Sequence, residues 1–161
     1  MTEKHWLEQN RFYYQIDETR LHSIFYFSLI WNAYEKELCD KVGKIRQHSE
    51  DHSVAFAEKL NPNLLAGVFD YFKNRYVSNN GLPTEHFNTF EFQVEQIKAE
   101  VFECLSGANP SSEEKLKALL CIAFRLRNNL FHGIKDVEKL YEQNENFRQI
   151  NLLLMALIDA K

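Results

Sequence analysis

Apolar residues recur at intervals of three and four positions along most of this chain, which is the spacing of one helix face. The strict apolar and polar alternation typical of a half-buried strand does not occur in the sequence. Breaks rich in Asn, Pro, Gly and Ser separate the periodic segments at residues 61–63, 78–83 and 106–110. The pattern therefore predicts an all-α domain over residues 1–161, built as a single helical bundle of five or six helices.

The longest predicted helical segment is the first, from about Glu3 to His48. It is expected to break or kink near Asp17, whose carboxylate can cap the second half. The apolar positions of that half cover more than half of the helix circumference, as expected of a central helix. Further helices are predicted over residues 53–60, 64–77 and 87–105, and a final helix is predicted to begin after Asp136.

The clearest helix start in the sequence follows Pro110. Ser111 and Glu114 have the spacing of a capping box, in which each side chain bonds the backbone N–H of the other residue. Gly133 is the residue type that commonly follows a helix end, so this helix is predicted to finish at His132. At about 100° per residue its apolar side chains form one arc: Leu116, Leu119, Leu120, Ala123, Phe124, Leu126, Leu130 and Phe131.

Arg127 lies near the middle of that apolar arc, where a charged side chain is unexpected. An unpaired charge buried in a core is unfavourable by several kcal/mol, so the pattern predicts that Arg127 has a partner. A phosphate group is one candidate partner. The alternative is a buried ion pair with a carboxylate of the first helical segment, at Asp17, Glu35 or Glu37.

Four residues separate Arg127 from His132, and the polar Asn128 directly follows the arginine. This motif closes an apolar helix and precedes a further long helix, and it resembles the signature of the HEPN superfamily. That signature is an arginine, four to six residues and a histidine, on a late helix of an all-α bundle. The resemblance implies a HEPN-like fold and a metal-independent endoribonuclease that leaves a 2′,3′-cyclic phosphate, in a toxin–antitoxin, phage-defence or stress role.

The residue types suit this reaction. Histidine as a residue type titrates near neutral pH, so a histidine at position 132 can exchange a proton with the 2′-hydroxyl or the leaving oxygen. Arg127 offers a planar fork of donors to the phosphorane oxygens, and Asn128 can donate to phosphate or orient the histidine. Four other residues are candidates for guiding the RNA backbone, with solvated polar groups as the alternative interpretation: Arg125, Asn129, Lys135 and Lys139.

The resemblance also implies a homodimer with a composite active site, because HEPN proteins commonly bring two such motifs together. One histidine cannot easily be both base and acid in a single turnover. Positions five apart on an ideal helix also point about 140° away from each other. An antitoxin or other regulatory protein is a further candidate partner. Some HEPN toxins carry a modified tyrosine two residues after the histidine, but Ile134 stands there, so we do not expect that mode of regulation.

Composition narrows the function classes. The net charge of −4 argues against a protein that coats DNA without regard to sequence. The polar first residues lack the apolar region of a signal peptide, and no apolar run is long enough for a membrane span, so we expect a cytoplasmic protein. Two alternatives to the nuclease remain: a non-catalytic HEPN-fold module that binds RNA or a nucleotide, and a helical protein-interaction domain.

Two histidines, His48 and His52, lie four residues apart, a spacing at which a metal ion can bridge one helix face. Their neighbours in sequence are polar, and the spacing suggests no third ligand. We interpret this segment as an exposed loop or a frayed helical turn. The three cysteines, which form no CxxC pair, are interpreted as buried thiols. The sequence thus predicts no metal ligands and no cofactor.

Overall fold

The computed structural model describes residues 2–9, 15–39, 45–132 and 137–161, with only the backbone described at Ile45, Phe131, His132 and Val137. Every regular element in these ranges is a helix, which confirms the predicted all-α class. Six of the described α-helices have 12 residues or more. The α-helices are α1 (Glu3–Gln9), α2 (His22–Leu38), α3 (Ile45–Phe56), α4 (Pro62–Tyr76), α5 (Glu85–Asn88), α6 (Glu95–Ser106), α7 (Ser112–His132) and α8 (Val137–Asp159), with a 3₁₀ helix at Glu18–Leu21.

The predicted helix start near Asp17 is confirmed, because the Asp17 carboxylate accepts the backbone N–H of Thr19 and caps the 3₁₀ helix. The predicted end of this segment at His48 is wrong. Helix α2 stops at Leu38, where Cys39 adopts an extended backbone. His48 belongs to α3, which begins at Ile45 and also occupies part of the range predicted as a separate helix over residues 53–60.

The helix predicted over residues 87–105 is two helices, α5 and α6, joined by a segment without regular structure. Phe90 and Phe92 lie in this segment and are nonetheless buried. Phe90 stacks on Tyr76 with ring centroids 5.4 Å apart, and Phe92 packs against Phe87 and Phe90. The apolar residues of this segment are therefore buried because their rings pack onto α4 and α5. Their spacing resembles that of a helix, although no continuous helix is present.

The predicted capping box at the start of α7 is confirmed. The backbone N–H of Ser111 donates to Glu114 Oε2 at 2.7 Å, and the backbone N–H of Glu114 donates to Ser111 Oγ at 3.2 Å. These bonds satisfy two backbone groups that would otherwise lack partners at the helix start. Helix α7 runs from this cap to His132, as predicted, while Gly133 and Asp136 lie outside the described residues.

Helix α7 lies at the centre of the bundle, where it packs against α3, α4, α6 and α8. Helices α2 and α8 pack along each other, with Phe27 edge-on to Phe147 at 4.8 Å between ring centroids. Trp31 of α2 meets Phe124 of α7 at 4.9 Å, so α2 also contributes to the packing around the central helix. None of the described helices is long and apolar enough to cross a membrane.

Candidate active site

The structure places Arg127 in the last turns of α7, where it is half-buried. The apolar arc before it is buried as predicted, from Leu116 to Leu126, but residues 127–130 are all partly exposed. The sequence pattern predicted that Arg127 lies inside the core, whereas the structure shows it only half-buried. The reason is that neighbouring helices bury the last described turn of α7 less than its middle. Arg127 Nη1 donates a hydrogen bond to Asn128 Oδ1 at 3.1 Å.

Arg125 is half-buried on the same part of α7 and lines a small cavity of about 50 Å³. Its Nε atom is buried and has no hydrogen-bond partner among the described residues. Burial lowers the pKa of Arg125 from its ordinary value, and the carboxylate of Glu91 opposes that shift. The other residues that line the cavity are Phe92, Gln93, Val94, Ile97, Cys121, Phe124 and Asn128.

Asn128 is structurally linked to each of the two arginines. It accepts the bond from Arg127 and lines the same cavity as Arg125. Around an ideal helix axis, position 128 lies about 60° from position 125 and about 100° from position 127. We call Arg125, Arg127 and Asn128 the α7 arginine cluster. The Arg127 guanidinium beside the Asn128 amide forms a set of donors suited to a phosphate oxygen, whereas position 125 lies about 160° from position 127 around the helix axis.

The other residues predicted for the site are more scattered. Asn129 is half-buried on α7, and Lys139 is exposed in the first turn of α8. The backbone of His132 ends α7, but its side chain and all of Lys135 lie outside the described residues. Because α7 stays helical to His132, positions 127 and 132 lie about 140° apart around its axis.

Two of the three carboxylates considered as structural partners for Arg127 have other bonds. Asp17 Oδ1 accepts from Thr19, and that hydrogen bond lowers the pKa of Asp17. Lys161 Nζ donates to Glu37 Oε2 at 3.0 Å, and that bond lowers the pKa of Glu37. The Asp17 carboxylate thus has a partner at Thr19, and the Glu37 carboxylate has a partner at Lys161.

A larger cavity, of about 480 Å³, lies between α6 and α7 and is lined by Glu100, Glu103, Glu114 and Lys117 among others. Lys117 is the one lysine among the described residues that line it, and its Nζ is already engaged at 3.1 Å from Glu50 Oε1 and 3.7 Å from Glu100 Oε2. The excess of carboxylates makes this cavity unfavourable for a phosphate. Of the two, the α7 arginine cluster is consequently the better candidate for binding a phosphate.

The interpretation of His48 and His52 as an exposed loop or frayed turn is wrong. Both lie within α3, and His52 is only 7% exposed. Its Nε2 is 2.9 Å from the carbonyl oxygen of Leu38, and its Nδ1 is 2.6 Å from the Tyr34 hydroxyl. Burial lowers the pKa of His52, which favours the neutral ring.

The polar sequence of α3 concealed this burial. Ser49 and Ser53 are buried with the histidine, and their hydroxyls donate to the backbone carbonyls of Arg46 and Glu50. A serine whose hydroxyl donates to a carbonyl of its own helix has its donor satisfied and can be buried. The spacing of Ser49, His52, Ser53 and Phe56 on one helix face was the sequence signal that could have indicated a buried polar stripe.

Comparison of the chain with protein-family models, with curated proteins and with solved structures found no match. The candidate site therefore depends on its residues and on their arrangement along α7.

Proposed function

We propose that the protein is a metal-independent endoribonuclease of the HEPN type, with Arg127, His132 and Asn128 as catalytic residues. The proposed role is in toxin–antitoxin, phage-defence or stress biology, in the cytoplasm, with an antitoxin or other regulatory protein as a candidate partner. The hydrogen bond between Arg127 and Asn128, near the end of the helix that carries His132, is the observation that best supports this proposal.

The Arg127–Asn128 bond suits phosphate binding because of which atoms it uses. It occupies the amide oxygen of Asn128, an acceptor that a phosphate would repel, and leaves the amide nitrogen as the donor of that side chain. It uses one of the five N–H donors of the guanidinium. The partial exposure of both residues allows an RNA phosphate to approach them.

The proposed reaction transfers two protons. His132 takes the proton of the 2′-hydroxyl as that oxygen bonds to phosphorus, and the bond from phosphorus to the 5′ oxygen breaks. The 5′ oxygen receives a proton from solvent water, to which His132 returns the proton that it took, and the products are a 2′,3′-cyclic phosphate and a 5′-hydroxyl. Arg127 and Asn128 stabilise the charge that develops on the non-bridging oxygens.

The helical backbone of α7 continues as far as His132, and this supports placing the active site between two subunits. Positions 127 and 132 are about 140° apart around the axis of one helix, so they lie on different faces of a single α7. A second copy can supply the histidine that meets a given arginine. The proposed enzyme is therefore a homodimer with a composite active site, in which Arg125, Asn129, Lys135 and Lys139 are candidates for guiding the RNA backbone.

The proposal is tested by incubating the purified protein with total RNA and with a defined stem–loop, in EDTA, beside His132→Ala prepared identically. The wild type is expected to cleave and to leave cyclic phosphate ends, while the variant is expected to bind RNA without cleaving it. Cleavage by His132→Ala at the wild-type rate would overturn the assignment of that residue. RNA binding without cleavage by the wild type would favour the non-catalytic alternative.

A further inference from the structure

A second cluster of polar side chains lies where the end of α2 meets α3. Cys39 directly follows α2, and His48 and His52 are one turn apart on α3. Each of the three offers one ligand atom, and these atoms all lie within 4.8 Å of one another. The two imidazole rings are tilted by 32° with centroids 5.5 Å apart. We call these three residues the Cys39 cluster.

We propose that the Cys39 cluster binds one zinc-class divalent metal ion through Cys39 Sγ, His48 Nε2 and His52 Nδ1. One sulfur and two imidazole nitrogens form a ligand set that zinc and cobalt favour over magnesium or calcium. Ligand atoms around a tetrahedral zinc lie about 3.3–3.6 Å apart, given its usual bond lengths. Cys39 and His48 are half-buried, so their side chains can rotate. Such rotations can move the ligand atoms by the remaining distance of about 1 Å.

His48 supplies the first independent argument for this site. Its Nε2 atom is buried and has no hydrogen-bond partner among the described residues. Buried nitrogen atoms in proteins nearly always have a partner, and an isolated one indicates a missing ligand, water or ion. His48 also belongs to a group in which one ligand atom of each of Cys39, His48 and His52 lies within 4.8 Å of the others, so a shared metal ion would supply the missing partner.

His52 supplies the second argument, because its ring is already oriented by its neighbours. Tyr34 is fully buried, and its hydroxyl lies 2.6 Å from His52 Nδ1. His52 Nε2 lies 2.9 Å from the Leu38 carbonyl oxygen, which can only accept, so Nε2 carries the ring proton and Nδ1 accepts from the Tyr34 hydroxyl. A backbone carbonyl bound to one ring nitrogen is the arrangement that fixes the other nitrogen toward a metal.

The metal would replace the Tyr34 proton at Nδ1 and leave the bond to Leu38 in place. The displaced Tyr34 hydroxyl remains close to the Cys39 sulfur, to which it can donate. The ion would tie the end of α2 to α3, so its proposed role is structural. This inference is independent of the proposed nuclease, whose residues lie on α7 and need no metal.

Cobalt provides a direct probe, because a thiolate ligand and a tetrahedral site both change its absorption spectrum. The full-length chain, without an affinity tag and with its thiols reduced, is titrated with Co²⁺ and then with Zn²⁺. We expect one equivalent of Co²⁺ per chain, a thiolate charge-transfer band, intense visible bands and displacement of all of them by Zn²⁺. Absence of these bands in the folded wild type would overturn the proposal.

Two variants and two controls make the ligands identifiable. Cys39→Ser is expected to remove the charge-transfer band, and His48→Gln is expected to weaken Zn²⁺ affinity at least tenfold. His48→Gln removes no hydrogen bond of the ring Nε2, so we expect it to fold, which circular dichroism checks. Cys104→Ser and His86→Ala change a thiol and an exposed histidine elsewhere and should bind as wild type. Unchanged cobalt spectra in both ligand variants would contradict the site.

Discussion

Arg127 and Asn128 are adjacent in sequence, and adjacent side chains on a helix normally diverge by about 100°. Their 3.1 Å bond therefore requires the long arginine side chain to turn along the helix surface toward the amide. In this position Arg127 and the amide nitrogen of Asn128 present hydrogen-bond donors. At the scale of single residues, the pair is thus matched to a ligand that is rich in acceptors, such as a phosphate.

The first prediction concerns Arg127→Ala. We expect RNA cleavage to fall by about 10²–10³-fold, because the variant loses the donors that stabilise charge in the transition state. Its melting temperature should stay at or above that of the wild type, because the half-buried side chain fills no core space and active-site charges often strain a fold. Cleavage and thermal melting are measured together. A large loss of stability with unchanged cleavage would instead favour a structural ion pair.

A second prediction uses Asn128→Asp, which keeps the shape of the side chain and the acceptor for Arg127. The new carboxylate removes a donor and places a negative charge where the phosphate would bind. We expect KM for RNA to rise by about tenfold, an effect that weakens as salt screens the charge. Asn74→Asp on the exposed face of α4 adds the same charge elsewhere. An equal rise in KM for both variants would indicate general repulsion rather than a site at Asn128.

At the scale of elements, the capping box determines where α7 begins. Ser111→Ala is expected to lower the free energy of unfolding by about 1 kcal/mol, because the backbone N–H of Glu114 loses its acceptor. Cleavage should be unchanged, since the cap lies at the opposite end of α7 from Arg127. Urea denaturation measures the effect, with Ser112→Ala at the next position as the control. Equal destabilisation by both variants would contradict a specific capping role for Ser111.

Local signals predicted the parts of this fold that depend on local bonds. The start of α7 and the cap at Asp17 were predictable because the capping side chains are two or three residues from their targets. The burial of His52 could not be predicted from bonds within α3, because its partners are Tyr34 and the Leu38 carbonyl of another helix. The exposure of Arg127 depends likewise on which neighbours cover the end of α7, and periodicity does not report that.

At the scale of the whole molecule, aromatic rings connect the two candidate sites. Tyr34 lies 5.5 Å from His52, Trp31 lies 5.4 Å from Tyr34, and Phe124 lies 4.9 Å from Trp31, all between ring centroids. Phe124 also lines the cavity beside Arg125. The proposed metal would therefore anchor one end of a packed core whose other end supports the α7 arginine cluster.

The proposed metal site and the proposed active site use different residues. Removing the metal should therefore affect the stability of the fold and not the cleavage of RNA. Chelation is expected to lower the melting temperature, because an ion that binds only the folded chain stabilises it. Below the new melting temperature, initial cleavage rates should not change, since the proposed reaction uses no metal. Parallel melting and cleavage curves with and without EDTA test both statements. Loss of cleavage while the chain remains folded would indicate that the metal takes part in the reaction.

The composite active site leads to the last prediction, which requires two inactive proteins. Arg127→Ala and His132→Ala are mixed after gentle unfolding and refolding, so that subunits exchange at random. If each site needs one arginine from one chain and one histidine from the other, half of the dimers are mixed and each mixed dimer has one intact site. Cleavage should then recover to about a quarter of the wild-type level, as two-fold symmetry requires. No recovery, in a sample that light scattering shows to be dimeric, would mean that both residues of a site come from one chain.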